Sequence, residues 1–225
     1  MITQQSIPVR PPLLTPTTRR IIFIVLPLMY LAGVIGLQVE SLQPVFRPLI
    51  PLNLLASLGL LLLFHTDWNR SFLLYCVTAF LVGFFVEVAG VHTGLIFGSY
   101  QYGSALGWKV WEVPLVIGSN WLMLTYASGS ICDRLSAPAW VKALIAAALM
   151  VGLDILIEPV AIELDFWSWN SATIPLQNYV AWYVVSALLL LLFYRLSFSK
   201  DNRLAPLLFL LQFFFFGLST LFIFW

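Results

Sequence analysis

Seven apolar stretches dominate this sequence, and each is long enough to form a helix that crosses a lipid bilayer. They cover residues 21–38, 48–64, 71–90, 113–131, 139–160, 175–194 and 204–224. A membrane-crossing helix needs about 20 apolar residues. Only 9% of the residues are charged, against about 25% in an ordinary soluble domain. The sequence therefore predicts an all-α, polytopic integral membrane protein, with a single bundle of about seven transmembrane helices over residues 21–225.

The positive charges predict how this bundle lies in the membrane. Nine of the eleven Lys and Arg residues fall on the N-terminal side: Arg10, Arg19, Arg20, Arg70, Arg134, Lys142, Arg195, Lys200 and Arg203. The other face has only Arg47 and Lys109. Positive loops stay in the cytoplasm, so we expect a prokaryotic cytoplasmic membrane protein with a cytoplasmic N-terminus and a C-terminus on the opposite side. Residues 1–20, rich in Pro and Thr, are expected to form a disordered cytoplasmic tail rather than a cleaved signal peptide.

The low histidine content excludes several kinds of membrane enzyme. Two histidines cannot supply a non-haem di-iron site of the hydroxylase or desaturase type, and they argue against a haem held by paired histidines. A net charge of +1 without a basic run argues against nucleic-acid binding. Any chemistry is therefore expected to depend on carboxylates, amides and aromatic rings, with no metal and no cofactor.

The polar residues within the spans gather in the half of the membrane away from the N-terminus. Glu87 lies deep in the third span, and Asp154 and Glu158 share one face of the fifth span because they are four residues apart. Four further groups lie in or beside the same half: Glu112, Asn120, Asp165 and Asn178. Acids inside a bilayer are costly and are functional candidates by default. The alternative is a structural network that fixes the packing of the helices.

Aromatic residues are also more frequent on that side, and two of its loops are unusual. Its aromatic residues include Tyr100, Tyr102, Trp108, Trp111, Trp121, Trp167, Trp169, Tyr179 and Trp182. Aromatic faces can stabilise a positive charge by roughly 0.5–2 kcal/mol each, which suits an apolar ligand or one that forms a cation. The loop over residues 94–114 contains four glycines yet stays apolar and aromatic. It either re-enters the bundle or forms a surface hairpin at the lipid headgroups. The second unusual loop, LDFWSWN over residues 164–170, has the same amphipathic character.

Four strings of residues in these regions resemble one known family. They are EVAGVHTGLIFGSYQYG (87–103), VPLVIGSNW (113–121), LDILIEPVAIELDFWSWN (153–170) and IPLQNYVAWY (174–183). Together they resemble the CruF-type carotenoid hydratases, which include carotenoid 1',2'-hydratases and bisanhydrobacterioruberin hydratase. The similarity runs in order over about residues 70–195, whereas the first two spans and the last look generic.

The resemblance implies a cofactor-independent hydro-lyase of carotenoid biosynthesis. Such an enzyme adds water across the terminal 1',2' double bond of an acyclic ψ-end carotenoid, such as lycopene or γ-carotene, and gives a tertiary alcohol. The expected partners are therefore a long carotenoid, water and the lipid bilayer.

The chemistry of this reaction assigns roles to the gathered residues. Protonation of the alkene needs a carboxylic acid, for which Asp154 and Glu87 are candidates, and water capture needs a carboxylate, for which Glu158 and Asp165 are candidates. The remaining candidates would bind the substrate or complete the polar network: His92, Tyr100, Tyr102, Glu112, Asn120, Trp121, Trp167, Trp169, Asn178 and Trp182.

Two other functions stay open at this point. A carotenoid cyclase would use the same protonation but quench the cation with a double bond of the polyene itself. A transporter or receptor is the alternative from another class. The last span has no lysine for a retinal Schiff base, and no inverted repeat is visible.

Overall fold

The computed structural model describes residues 14–224, and residues 1–13 and 225 lie outside it. Most of the predicted N-terminal tail therefore lies outside the described residues. The first helix begins at Pro16 rather than near residue 21. Thr15 caps this helix by accepting a hydrogen bond of 3.1 Å from the Thr18 amide, and proline is well suited to the first helical turn.

Eight α-helices make up the described chain, together with four very short strands in its loops. The helices are α1 (Pro16–Gln38), α2 (Gln43–Phe46), α3 (Ile50–Leu63), α4 (Arg70–Thr93), α5 (Val116–Cys132), α6 (Ala139–Glu163), α7 (Leu176–Arg195) and α8 (Ala205–Phe224). A 3₁₀ turn, Arg47–Leu49, joins α2 to α3. The seven predicted spans correspond to α1, the continuous α2–α3 segment, and α4 to α8.

Six helical segments in the described part of the chain are long and apolar enough to cross a membrane. They are α1, the α2–α3 segment Gln43–Leu63, α4, α6, α7 and α8. Large apolar side chains such as Leu28, Val77 and Phe214 are exposed on their outer faces, as expected where lipid replaces water. The chain is an all-α polytopic membrane protein, as the sequence predicts.

The fourth predicted span, α5, differs from the other six because it lies at the centre of the bundle. Its 17 residues make it only about 25 Å long. Of these residues, 15 are buried. It packs against α3, α4, α6, α7 and α8. Small residues make this possible: a Cβ added to Gly118 would lie 2.9 Å from the backbone of Phe80, and one added to Gly129 would lie 2.9 Å from the Phe193 ring.

The two loops that looked unusual in the sequence form a common cap over one end of the bundle. The strand β1 (Tyr100–Tyr102) pairs antiparallel with β4 (Trp167–Trp169) from the loop between α6 and α7. A second small pair joins β2 (Lys109–Val110) to β3 (Val113–Pro114). Tyr100 and Tyr102 are buried while Gln101 is exposed. The glycine-rich loop therefore covers the bundle with alternating side chains.

Candidate active site

Glu87 is the first of three buried carboxyl groups beneath the cap. It lies near the C-terminal end of α4 and is 3% exposed. The Tyr100 hydroxyl donates to its Oε2 at 2.5 Å, and the Tyr102 hydroxyl donates to the same atom at 2.8 Å. The indole Nε1 of Trp121, on α5, donates to Oε1 at 3.0 Å. Both oxygens of Glu87 are therefore hydrogen-bonded.

Glu158, on α6, is bound only by nitrogen donors. The indole Nε1 atoms of Trp167 and Trp169 donate to its Oε2 at 3.1 and 2.9 Å. The amide nitrogen of Asn178, on α7, donates to its Oε1 at 3.1 Å. Indole N–H and amide N–H groups donate hydrogen bonds but cannot accept one from a protonated carboxyl group, so this environment matches an ionised carboxylate.

Asp154 lies one helical turn before Glu158 and is fully buried. Its Oδ2 accepts a hydrogen bond of 2.9 Å from the same Asn178 nitrogen that binds Glu158. Its Oδ1 is buried and has no hydrogen-bond partner among the described residues. Asn178 thus links the two acids of α6.

The register of the cap explains how four aromatic donors reach two carboxyl groups. Tyr100 is paired with Trp169 and Tyr102 with Trp167 across the β1–β4 ladder. Because neighbouring cross-strand side chains on one face lie close together, the two tyrosines and the two tryptophans enter the bundle side by side. The Tyr100 and Trp169 rings have centroids 5.2 Å apart.

Helix packing places the fifth aromatic donor, Trp121. A Cβ added to Gly83 on α4 would lie only 2.3 Å from the Trp121 Cβ. The glycine therefore allows α5 to approach α4 closely enough for the indole to reach Glu87. The Trp121 ring stacks on Trp182 with a centroid distance of 4.5 Å.

These groups surround a small cavity of about 30 Å³. A cavity needs at least about 10–15 Å³ on this measure to hold one water molecule, so the space can take water but no large ligand. Its wall contains most of the predicted residues: Glu87, Tyr100, Tyr102, Asn120, Trp121, Glu158, Trp167, Trp169, Asn178 and Trp182. It also contains Phe97, Ile117 and Ile157, which sequence reasoning missed because single apolar residues in apolar spans carry no signal.

Four predicted residues do not line this cavity: Asp154, whose contacts are given above, and His92, Glu112 and Asp165. His92 is five residues after Glu87, which turns it to another face of α4, and its Nδ1 lies 3.0 Å from the carbonyl oxygen of Val88. The exposed Glu112 carboxylate lies 3.9 Å from the His92 Nε2. Asp165 is an exposed loop residue whose Oδ2 accepts hydrogen bonds from the amide and hydroxyl of Ser104 at 2.8 and 2.9 Å.

The hydrogen bonds of Asp165 hold the cap together. They keep the pKa of this carboxyl below its usual range, chiefly through the Ser104 amide and then through the Ser104 hydroxyl. A Cβ added to Gly103 would lie 2.2 Å from the Asp165 carbonyl oxygen, so the two loops touch closely at this point. Asp165 therefore positions the cap and does not line the cavity.

A second cavity, of about 130 Å³, lies next to the first. Ile117, Asn120, Ile157 and Trp167 belong to the walls of both cavities. The remaining wall comes largely from α1, α3 and α8, the spans that look generic in the sequence. Isolated amides in those spans, Asn53 and Gln212, are the signal that could have identified this cavity.

No group of three or more His, Cys, Asp or Glu side chains in residues 14–224 is arranged to hold a metal ion. The described chemistry is therefore that of three carboxyl groups, aromatic N–H and O–H donors, and an adjoining apolar cavity.

The fold and the site together define a class: a helical integral membrane protein that buries carboxyl groups beneath an aromatic cap. Comparison with known families is more specific. The family model for carotenoid biosynthesis proteins matches residues 48–225. The chain belongs to this family, and the match confirms the family resemblance seen in the sequence.

A curated relative adds an activity to the comparison. The chain is 27% identical over 140 residues to the bisanhydrobacterioruberin hydratase of Haloarcula japonica. The match covers 56% of this chain and 45% of that protein, so it spans less than half of the relative. No solved structure matches the chain.

Proposed function

We propose that this protein is a carotenoid hydratase that adds water to the terminal 1',2' double bond of an acyclic ψ-end carotenoid. The observation that carries the proposal is the pair of differently bound glutamates, Glu87 and Glu158, in one cavity large enough for water. Membership of the carotenoid biosynthesis family and the similarity to a hydratase support the same reaction.

Glu87 is the proposed proton donor. Its two tyrosine partners have hydroxyl groups, which can accept as well as donate a hydrogen bond. A protonated Glu87 could therefore donate a hydrogen bond to a tyrosine oxygen. A protonated Glu158 would find no such acceptor, because its three partners are N–H donors. Asp154, the other candidate, does not line the cavity and is linked to Glu158 by the Asn178 side chain.

The reaction balances without an oxidant or reductant. The π electrons of the alkene take the proton of Glu87 and form a C–H bond at C2', which leaves a tertiary cation at C1'. A water molecule forms the C–O bond at C1', and Glu158 accepts the proton that the water loses. Return of that proton to Glu87 restores both groups, and the net change is the addition of one water.

The aromatic cap would stabilise the cation. Tyr100, Tyr102, Trp167 and Trp169 direct their polar edges at the glutamates, while Trp121 and Trp182 stack beside them. Aromatic faces near a cation contribute about 0.5–2 kcal/mol each. Asn120, which lies between the two cavities, would orient the attacking water.

We also propose that the cap faces away from the cytoplasm. This follows from the excess of Lys and Arg at the other end of the bundle. In that orientation a carotenoid dissolved in the bilayer of a prokaryotic cytoplasmic membrane would reach the acid site from within the lipid.

Expression in a bacterium that accumulates lycopene tests the activity. We expect a new pigment that is heavier than lycopene by one water and keeps the same polyene chromophore. A product of unchanged mass would mean cyclisation, and no new pigment with any acyclic carotenoid would reject both reactions.

A further inference from the structure

We propose that the apolar cavity beside the acid site binds the terminal isoprenoid segment of a long acyclic polyene, and that Gly33 on α1 keeps this cavity open. The inference deepens the proposed function and rests on it for the identity of the polyene. It assigns a substrate-binding role to α1, α3 and α8.

The two cavities have complementary sizes. The acid cavity, at about 30 Å³, has room for water but not for a branched alkene with its chain. The neighbouring cavity has about 130 Å³ and shares four wall residues with the first. The double bond must therefore approach Glu87 from this second cavity, past Asn120 and Trp167.

The walls of the second cavity match a hydrocarbon. Its surface is formed mainly by side chains such as Met29, Leu54, Phe215 and Phe216, and none of the described lining residues is charged. A polyene that enters from the bilayer leaves one apolar environment for another, so its packing against this wall, rather than removal from water, would hold it there. A phosphorylated isoprenoid would find no cation for its head group, so the occupant is an uncharged chain.

The one tyrosine of this wall is already hydrogen-bonded. The Tyr30 hydroxyl on α1 lies 3.1 Å from the Ser57 hydroxyl on α3. This contact joins the two helices and satisfies the Tyr30 hydroxyl without a polar group on the ligand.

The cavity occupies the space between α1 and α3. Helix α1 packs mainly against α8, and α3 packs mainly against α5, so the two helices leave room for a chain that arrives sideways from the lipid. Gly33 lines this space, and a Cβ added there would lie 3.3 Å from the Phe215 ring. A larger side chain at position 33 must therefore project into the cavity.

Retention of lycopene by the purified full-length protein tests the inference. Wild type, Gly33→Leu and Gly59→Leu are produced in lycopene-accumulating cells, and lycopene plus its hydrated product is measured per protein by visible absorption. Gly59 is the matched control, because it lies on α3 with nothing within 4 Å of an added Cβ. We expect Gly33→Leu to retain at least tenfold less pigment, and Gly59→Leu to retain as much as wild type.

Leu54→Trp fills the same cavity from α3 and decides the result if Gly33→Leu does not fold. Equal amounts of pigment in all variants would overturn the inference. A cavity-filled variant that keeps its lycopene but loses co-purified phospholipid would also overturn it, because the cavity would then be a lipid site. The proposed function fails separately: wild type that binds lycopene but never hydrates it would leave the binding site standing. Normal hydration by both filled variants would leave the function standing and remove the binding site.

Discussion

At the residue scale, the partners of each carboxyl group decide what it can do. Glu87 and Glu158 both accept three hydrogen bonds, yet two donors of Glu87 are hydroxyls while all those of Glu158 are N–H groups. The difference arises from which residue of the cap meets which helix. It gives two identical side chains different capacities to carry a proton.

Asp165 tests the distinction between a base and a positioning residue. It has a positive φ of 59° and binds Ser104 through Oδ2. Asparagine tolerates this backbone conformation and keeps an acceptor oxygen. We therefore expect Asp165→Asn to retain hydration within about twofold, while Asp165→Ala, which loses the acceptor, falls at least about tenfold because the cap shifts.

The readout is the amount of hydrated product together with tryptophan fluorescence, which reports the cap. The lowered pKa of Asp165 gives a sign to the acid titration. A carboxyl whose folded pKa is depressed contributes stability that is lost as the pH falls through that value. The stability that Asp165 gives the wild-type cap should thus decline as the pH falls from the usual aspartate pKa through the lowered one, and Asp165→Asn should lack this transition. Inactive Asp165→Asn with an unchanged cap would make Asp165 the base instead.

The sequence indicates which acids are buried but not which loop residues enter the bundle, for a physical reason. Glu87 and Asp154 are polar groups in apolar spans, where burial is costly enough to imply a partner. His92, five residues after Glu87, and Glu112, in the loop after α4, have exposed side chains. Only the pairing of β1 with β4 decides which loop residues enter the bundle, and no local pattern encodes that register.

At the element scale, the close contact of α4 with the central helix α5 positions Trp121 against Glu87. The periods and lengths of the apolar stretches predicted the helices well, because each must satisfy its own backbone within lipid. They did not predict that α5 would be short and enclosed on all sides, since that depends on contacts between distant helices.

Gly83→Ala tests this contact. The added methyl would lie 2.3 Å from the Trp121 Cβ, so α4 and α5 must separate and the indole moves away from Glu87. Overpacking of this kind costs about 1–3 kcal/mol, and we expect a lower melting temperature in detergent together with loss of hydration. Gly152→Ala on α6, where an added Cβ meets nothing within 4 Å, is the control. Equal behaviour of the two variants would contradict the role given to the contact.

At the scale of the whole molecule, the basic residues and the buried acidic residues lie towards opposite ends of the bundle. Lys and Arg cluster at the end opposite the cap, while the buried acids lie beneath it. The first two spans and the last looked generic in the sequence, yet they form most of the apolar cavity. Their contribution is shape, which a hydropathy pattern does not reveal.

The orientation can be tested directly. Fusion of a reporter that is active only outside the cytoplasm to the C-terminus should give signal, and fusion after Ala137, in the loop between α5 and α6, should give none. The reason is the positive-inside rule applied to nine charges against two. Signal only from the fusion after Ala137 would reverse the proposed orientation.

The central claim is that water itself adds to the terminal double bond under acid catalysis by Glu87. The most direct measurement uses purified protein, lycopene and water labelled with heavy oxygen, with mass analysis of the pigment. We expect one labelled oxygen in the product of the wild type, and a rate at least about 100-fold lower for folded Glu87→Gln, since general acid catalysis is worth at least that factor. An unlabelled product, or full activity in Glu87→Gln, would contradict the account.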